Sequence, residues 1–217
     1  MSAVEVKICG ITRVEDALAA VGAGAAMLGL NFYPGSPRCV TLQKAMEIAA
    51  AVGAPVKLVG VFVNMDVAAV LRVARAVPLD AVQLHGDESP GDCALAAAEF
   101  EVIRALKAGA GFSVARAAEF TSCRGLLLDT PTLAHGGSGE TFRWDGVDWP
   151  GVRLAAPFAK LFLAGGLCAA NVAEAIAAAH PDAVDVCSGV ESAKGIKSAE
   201  KMLEFVAAVR AAERQEQ

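Results

Sequence analysis

Eight short β-rich runs alternate with alanine-rich helical runs along the whole chain, and this alternation constrains the fold more than any other feature. The β runs are 6–11 (VKICGI), 27–32, 57–63, 81–86, 101–108, 125–130 (GLLLDT), 160–166 and 183–190. Helical patterns fill 14–22, 41–52, 66–77, 90–100, 111–122, 169–179 and 198–213, with a weaker one at 149–156. Strict β–α alternation dictates a parallel sheet joined by right-handed crossovers. An open doubly wound sheet would carry G-x-G-x-x-G after its first strand, and none follows KICGIT. Eight repeats in about 200 residues fit a closed α/β barrel, the (β/α)8 or TIM barrel, here as one domain over 1–217.

Side chains alternate across a strand, so face follows from position. Leu126 and Leu128 are expected against the helices, with Leu127 and Asp129 inside the barrel. Lys7 shares a face with Cys9, Gln83 with His85, and Asp185 with Cys187. Helix starts are marked by Asp66 and by Ser198 with Glu200.

The 217 residues are 55% hydrophobic with a net charge of −5 and no Lys/Arg run, which argues against nucleic acid as a partner. The longest uncharged stretch, 17–37, is broken by Gly22, Gly24, Gly29, Pro34 and Pro37, so it reads as a helix and a buried strand and not as a membrane span. The six cysteines form no C-x-x-C pair and the three histidines do not stand near them at ligand spacing, so no zinc site is expected. Glu5 and Lys7 fall where the apolar part of a secretory signal would lie. The expectation is a cytoplasmic protein with reduced cysteines, acting on a small molecule as a monomer or homodimer.

Barrel chemistry sits at the C-terminal ends of the strands. Cys9 ends the first strand, where its thiol is either a small buried hydrophobe or, with a lowered pKa, a general base. Asp129 ends LLLDT and is either a cap for the following loop or a general acid whose pKa the apolar strand raises. Glycines collect at the same end: Gly137, Ser138 and Gly139 in one loop, Gly165 and Gly166 after the seventh strand, Ser188 and Gly189 after the eighth. Such loops bind phosphate through backbone N–H groups. Arg38 offers a fork for a substrate carboxylate. Asp185 either pairs with Lys7 or binds a polar group of the substrate, and His85 is either a substrate contact or a hydrogen-bonded structural residue.

KICGIT (7–12), FYPGSPR (32–38), VQLHGDE (82–88), LLLDT (126–130), GGSGETFRW (136–144), LAGGL (163–167) and VDVCSGVE (184–191), in this order, resemble the phosphoribosylanthranilate isomerases of tryptophan biosynthesis. The resemblance implies an Amadori rearrangement of N-(5-phosphoribosyl)anthranilate to 1-(o-carboxyphenylamino)-1-deoxyribulose 5-phosphate, without a cofactor. It puts the general base on Cys9, the general acid on Asp129, the anthranilate contact on Arg38 and the phosphate on the glycine loops. Cys187 receives no role. The rival readings are another phosphosugar barrel, such as an aminoimidazole-type sugar isomerase with two aspartates, and a phosphate-binding module without turnover.

Overall fold

The computed structural model describes residues 3–54, 56–109, 112–129 and 144–215. Eight parallel strands close into a barrel in chain order: β1 (Glu5–Cys9), β2 (Met27–Asn31), β3 (Lys57–Phe62), β4 (Ala81–Leu84), β5 (Glu101–Lys107), β6 (Gly125–Asp129), β7 (Lys160–Ala164) and β8 (Ala183–Val186). β8 pairs back onto β1, with Lys7 opposite Asp185. The crossovers carry α1 (Val14–Ala23), α2 (Leu42–Val52), α3 (Val67–Ala76), α4 (Pro90–Ala97), α5 (Val114–Ala118), α6 (Trp149–Ala155) and α7 (Val172–Ala179), and α8 (Ala199–Gln215) closes the chain. This is the expected (β/α)8 architecture.

Two hydrophobic clusters follow from strand alternation. Outward residues such as Leu126, Leu128, Val184 and Val186 join the helices in the larger core. Full burial of each such side chain stabilises the fold by about 1.5–3 kcal/mol. Inward residues Met27, Val59, Ala81, Ile103, Leu127 and Phe162 fill the interior as a second cluster. The same inward phase carries Lys7, Gln83 and Asp185, all buried.

Local signals set the helix boundaries. Asp66 accepts from the Ala69 N–H, Ser198 Oγ from the Lys201 N–H, and Ser89 forms a capping box with Asp92. The uncharged stretch 17–37 divides into α1, β2 and a turn, and among the described residues no helix is long and apolar enough to cross a membrane.

Two departures from the sequence reading affect the site. The helix expected over 111–122 shrinks to five residues, α5. The chain then buries Phe120, whose ring lies 5.2 Å from the guanidinium carbon of Arg104 and 5.0 Å from that of Arg116. After β8, residues expected as loop form a short antiparallel hairpin, β9 (Glu191–Ala193) and β10 (Ile196–Lys197). It is anchored on α1, where Asp16 Oδ2 accepts from the Lys197 N–H at 3.1 Å.

Candidate active site

The C-terminal strand ends surround a cavity of about 260 Å³. Cys9, Arg38, His85, Asp129, Gly165, Gly166, Asp185 and Ser188 all line it, joined by Asn31, Ser36 and Cys187. Gly189 lies next to Ser188 in a 3-10 turn. Gly137, Ser138 and Gly139 fall outside the described residues. Two wider grooves, of about 650 and 660 Å³, run between outer helices and are lined by helix and loop residues away from the strand ends of β1 and β6.

Cys9 sits directly above Lys7 on the inner face of β1. Its register partner is Gly29, where a Cβ would stand 2.7 Å from Cys9 Sγ and 3.0 Å from its Cα. Only a glycine leaves space for the thiol there. Lys7 is fully buried and donates to Asp185 Oδ1 at 2.8 Å. Burial works against the ammonium, but Asp185 and the neighbouring Cys9 outweigh it and hold Lys7 above its ordinary range. Of the two readings of Asp185, the ion pair with Lys7 is realised, on a residue that also borders the cavity.

Cys9 and Cys187 follow the last β1–β8 register pair, and each thiol biases the other's ionisation. The interaction with Cys187 and burial push Cys9 well above the usual thiol range, with Lys7 opposing. The interaction with Cys9, against burial, brings Cys187 down to about 7, helped by the cations of Lys197 and Arg38. The lowered thiol expected at Cys9 is therefore found on its neighbour Cys187. Lys197 Nζ is 3.7 Å from Cys187 Sγ and donates to the Cys187 carbonyl at 2.9 Å and to Glu191 Oε1 at 3.0 Å.

Arg38 lines the cavity, but its fork is engaged within the protein. Nε and Nη2 donate to Glu191 Oε1 and Oε2, both at 2.7 Å. Burial disfavours the Glu191 carboxylate, yet the Arg38 bonds and Lys197 lower its pKa below the ordinary value. Nη1 takes no part in this bridge. Glu191 and Lys197 escaped the sequence reading because only the β9–β10 hairpin brings them to the mouth.

Across the cavity, Asp129 Oδ2 lies 3.2 Å from His85 Nε2, and His85 Nδ1 lies 2.8 Å from Gln83 Nε2. The amide N–H of Gln83 donates to Nδ1, which places the ring proton on Nε2, aimed at Asp129. The Asp129 side chain is 38% exposed, so it reaches out of its leucine-rich strand into the cavity and is not enclosed by it. The loop carrying His85 is held from beneath by buried Arg104, which donates to the carbonyls of Leu84 (2.8 Å) and Gly86 (2.9 Å) and to Glu88 (3.1 Å). Glu88 in turn accepts from the backbone N–H groups of Gly86 and Asn64, both at 2.8 Å. Asn64 braces this loop by accepting from the Asp87 N–H at 2.6 Å.

On the β7–β8 side, Gly165 and Gly166 both have positive φ, +94° and +62°, which turns successive peptides into a concave loop. Asn171 fastens this loop to α7, donating to the Gly166 carbonyl at 3.0 Å and accepting from the Cys168 N–H at 2.8 Å.

Residues 6–208 match the family model for N-(5'-phosphoribosyl)anthranilate (PRA) isomerase. The chain belongs to this family. An N-(5'-phosphoribosyl)anthranilate isomerase of Pseudomonas syringae pv. tomato is 48% identical over 215 residues, covering 96% of this chain and 98% of the relative. The crystal structure of the phosphoribosyl anthranilate isomerase from Thermotoga maritima superposes with a TM-score of 0.87 at 41% identity, over 96% of this chain and 99% of that one. A phosphoribosyl anthranilate isomerase in complex with reduced 1-(o-carboxyphenylamino)-1-deoxyribulose 5-phosphate superposes at 0.83 with 37% identity, over 96% and 99%. The protein is thus an enzyme of the phosphoribosylanthranilate isomerase family, built on that family's barrel.

Proposed function

We propose that the enzyme converts N-(5-phosphoribosyl)anthranilate to 1-(o-carboxyphenylamino)-1-deoxyribulose 5-phosphate in tryptophan biosynthesis, with Asp129 as general acid and Cys9 as general base. The observation that carries this reading is that the two groups rise from non-adjacent strands, β6 and β1, to line one cavity. The reaction needs an acid at the furanose ring oxygen and a base at C2′, two atoms of one sugar, so two groups across a cavity suit it.

Asp129 protonates the ring oxygen, and the ring opens to an imine. His85 holds Oδ2 through its Nε2–H and stabilises the carboxylate left behind. Cys9 hands its proton to the neighbouring Cys187 thiolate and takes the proton from C2′. The imine accepts the electrons, giving an enolamine that tautomerises to the ketone. The imine is the substrate's own electron sink, so the scheme calls for no cofactor. Arg38, fixed by Glu191, faces the anthranilate carboxylate, and Asp185 contributes to binding from the floor of the cavity. The loops of Gly165, Gly166, Ser188 and Gly189 hold the phosphate, together with Gly137, Ser138 and Gly139, and anchoring there keeps the reacting carbons in place.

The test is turnover by the purified chain, followed as loss of the fluorescence of the anthranilate adduct, with the ketose product identified by mass and chromatography. Product formation at an enzymatic rate is expected. Binding of the adduct without turnover would favour the phosphate-binding module.

A further inference from the structure

Two thiols stand side by side at the mouth of the cavity, beside two cations. Ile8 and Val186 are the last register pair of β1 and β8, and Cys9 and Cys187 are the next residues on each chain. Neighbouring strands lie about 4.8 Å apart, within the Cα separation of about 4.4–6.8 Å that a disulfide spans. Cys9 and Cys187 both line the cavity, with Cys187 Sγ 3.7 Å from Lys197 Nζ.

We propose that Cys187 and Cys9 form an oxidative modification site for hydroperoxides, closing to a disulfide that disables the enzyme and reopening under a dithiol. Cys187 is the attacking group. It is partly exposed in the cavity, whereas Cys9 is almost fully buried. Lys197 and Arg38 stabilise its thiolate, and its lowered pKa leaves much of it ionised near neutral pH.

The chemistry balances in two steps. The Cys187 thiolate attacks one oxygen of the hydroperoxide, forming an S–O bond as the O–O bond breaks and an alcohol or water departs. The Cys9 sulfur then attacks Cys187, forming the S–S bond as the S–O bond breaks, and hydroxide leaves with the Cys9 proton as water. Two thiols lose two electrons in all, and the peroxide gains them. A neighbouring thiol that captures the sulfenic acid protects Cys187 from irreversible oxidation.

The other thiol pair joins Cys93 on the buried face of α4 to Cys123 before β6, and its lower-pKa member, Cys93, is fully buried. It therefore serves as an internal comparison. The effect on turnover rests on Cys9 being the base, whereas the cross-link does not.

The experiment treats the wild-type protein with hydrogen peroxide, blocks residual thiols with an alkylating agent, and follows intact mass, peptide map and turnover together. The expected result is a mass lower by about 2 Da before alkylation, the two hydrogens of a disulfide, two fewer alkylated thiols than in the untreated protein, and a linked peptide joining Cys9 to Cys187. Turnover should fall by at least about 10²-fold, the scale of a lost acid–base group, and both changes should reverse with dithiothreitol. Cys187→Ser should abolish the linked peptide. The proposal is overturned if the link joins Cys93 to Cys123, if oxidation stops at exposed Cys39, or if turnover falls with no Cys9–Cys187 link. A Cys9–Cys187 link that leaves turnover intact would uphold the modification site, overturn the disabling effect and remove Cys9 from its role as base.

Discussion

His85 Nε2, at the end of β4, lies 3.2 Å from Asp129 Oδ2, at the end of β6, so the imidazole spans the intervening strand β5 to reach the carboxylate. Gln83 fixes the ring from below at 2.8 Å, and Arg104 clamps the Leu84 and Gly86 carbonyls on either side of His85. A hydrogen bond to a charged group contributes about 1.5–3 kcal/mol, roughly 10- to 100-fold in rate. His85→Leu is expected to lower kcat by that factor and to change KM little, because the bond strengthens as Asp129 gives up its proton. Steady-state kinetics check this. A rise in KM alone would make His85 a substrate-binding group and not a partner of the acid.

The Cys9–Cys187 pair sets a pH dependence. Its first proton leaves near pH 7, with Lys197 and Arg38 favouring the thiolate, and Asp185 and burial opposing it. Lys7 faces Cys9 as a fixed cation, and Glu191 is neutralised by Arg38 and Lys197. The base is the deprotonated form, so kcat/KM is expected to rise as pH increases through about 7. In Cys187→Ser the rise should move to higher pH, because Cys9 then lacks its proton acceptor. A profile unchanged by that substitution would contradict the sharing of a proton.

Lys7 and Asp185 form a buried ion pair in the barrel interior. Removing one partner of such a pair costs about 3–5 kcal/mol, because it strands the other charge, whereas replacing both with packed apolar groups is close to neutral. Asp185→Leu is therefore expected to be strongly destabilising, and adding Lys7→Met should recover most of the loss. Denaturant titration of the two variants measures this.

The loops after β7 and β8 carry the phosphate assignment. Inorganic phosphate is expected to inhibit competitively against substrate, and Ser188→Ala should raise KM with kcat nearly unchanged, as for a uniform binding contact. Non-competitive inhibition, or none, would count against these loops.

The barrel was legible in the sequence because its strands keep one phase. Leu126 and Leu128 face the helices and Leu127 the interior, as simple alternation requires. The same phase placed Cys9, His85, Asp129 and Asp185 around the mouth. What the sequence hid depends on contacts between distant segments. Arg38 and Glu191 meet only because the β9–β10 hairpin, residues 191–197, follows β8, and its strands are too short and too charged to register as β structure. Cys187 read as an incidental cysteine because only the closure of β8 onto β1, ending at Ile8 and Val186, brings it beside Cys9. Gly29 carries no side chain to read, and its role is the volume it leaves for the neighbouring thiol.

The central claim is that the thiol of Cys9 and the carboxyl of Asp129 divide base and acid duties over one sugar. The most direct measurement is kcat of Cys9→Ser and Asp129→Asn on N-(5-phosphoribosyl)anthranilate, with circular dichroism confirming that both variants fold. Each is expected to lose at least about 10²-fold in kcat, the usual scale of a lost acid or base. Near-wild-type turnover in either variant would contradict the role given to that residue.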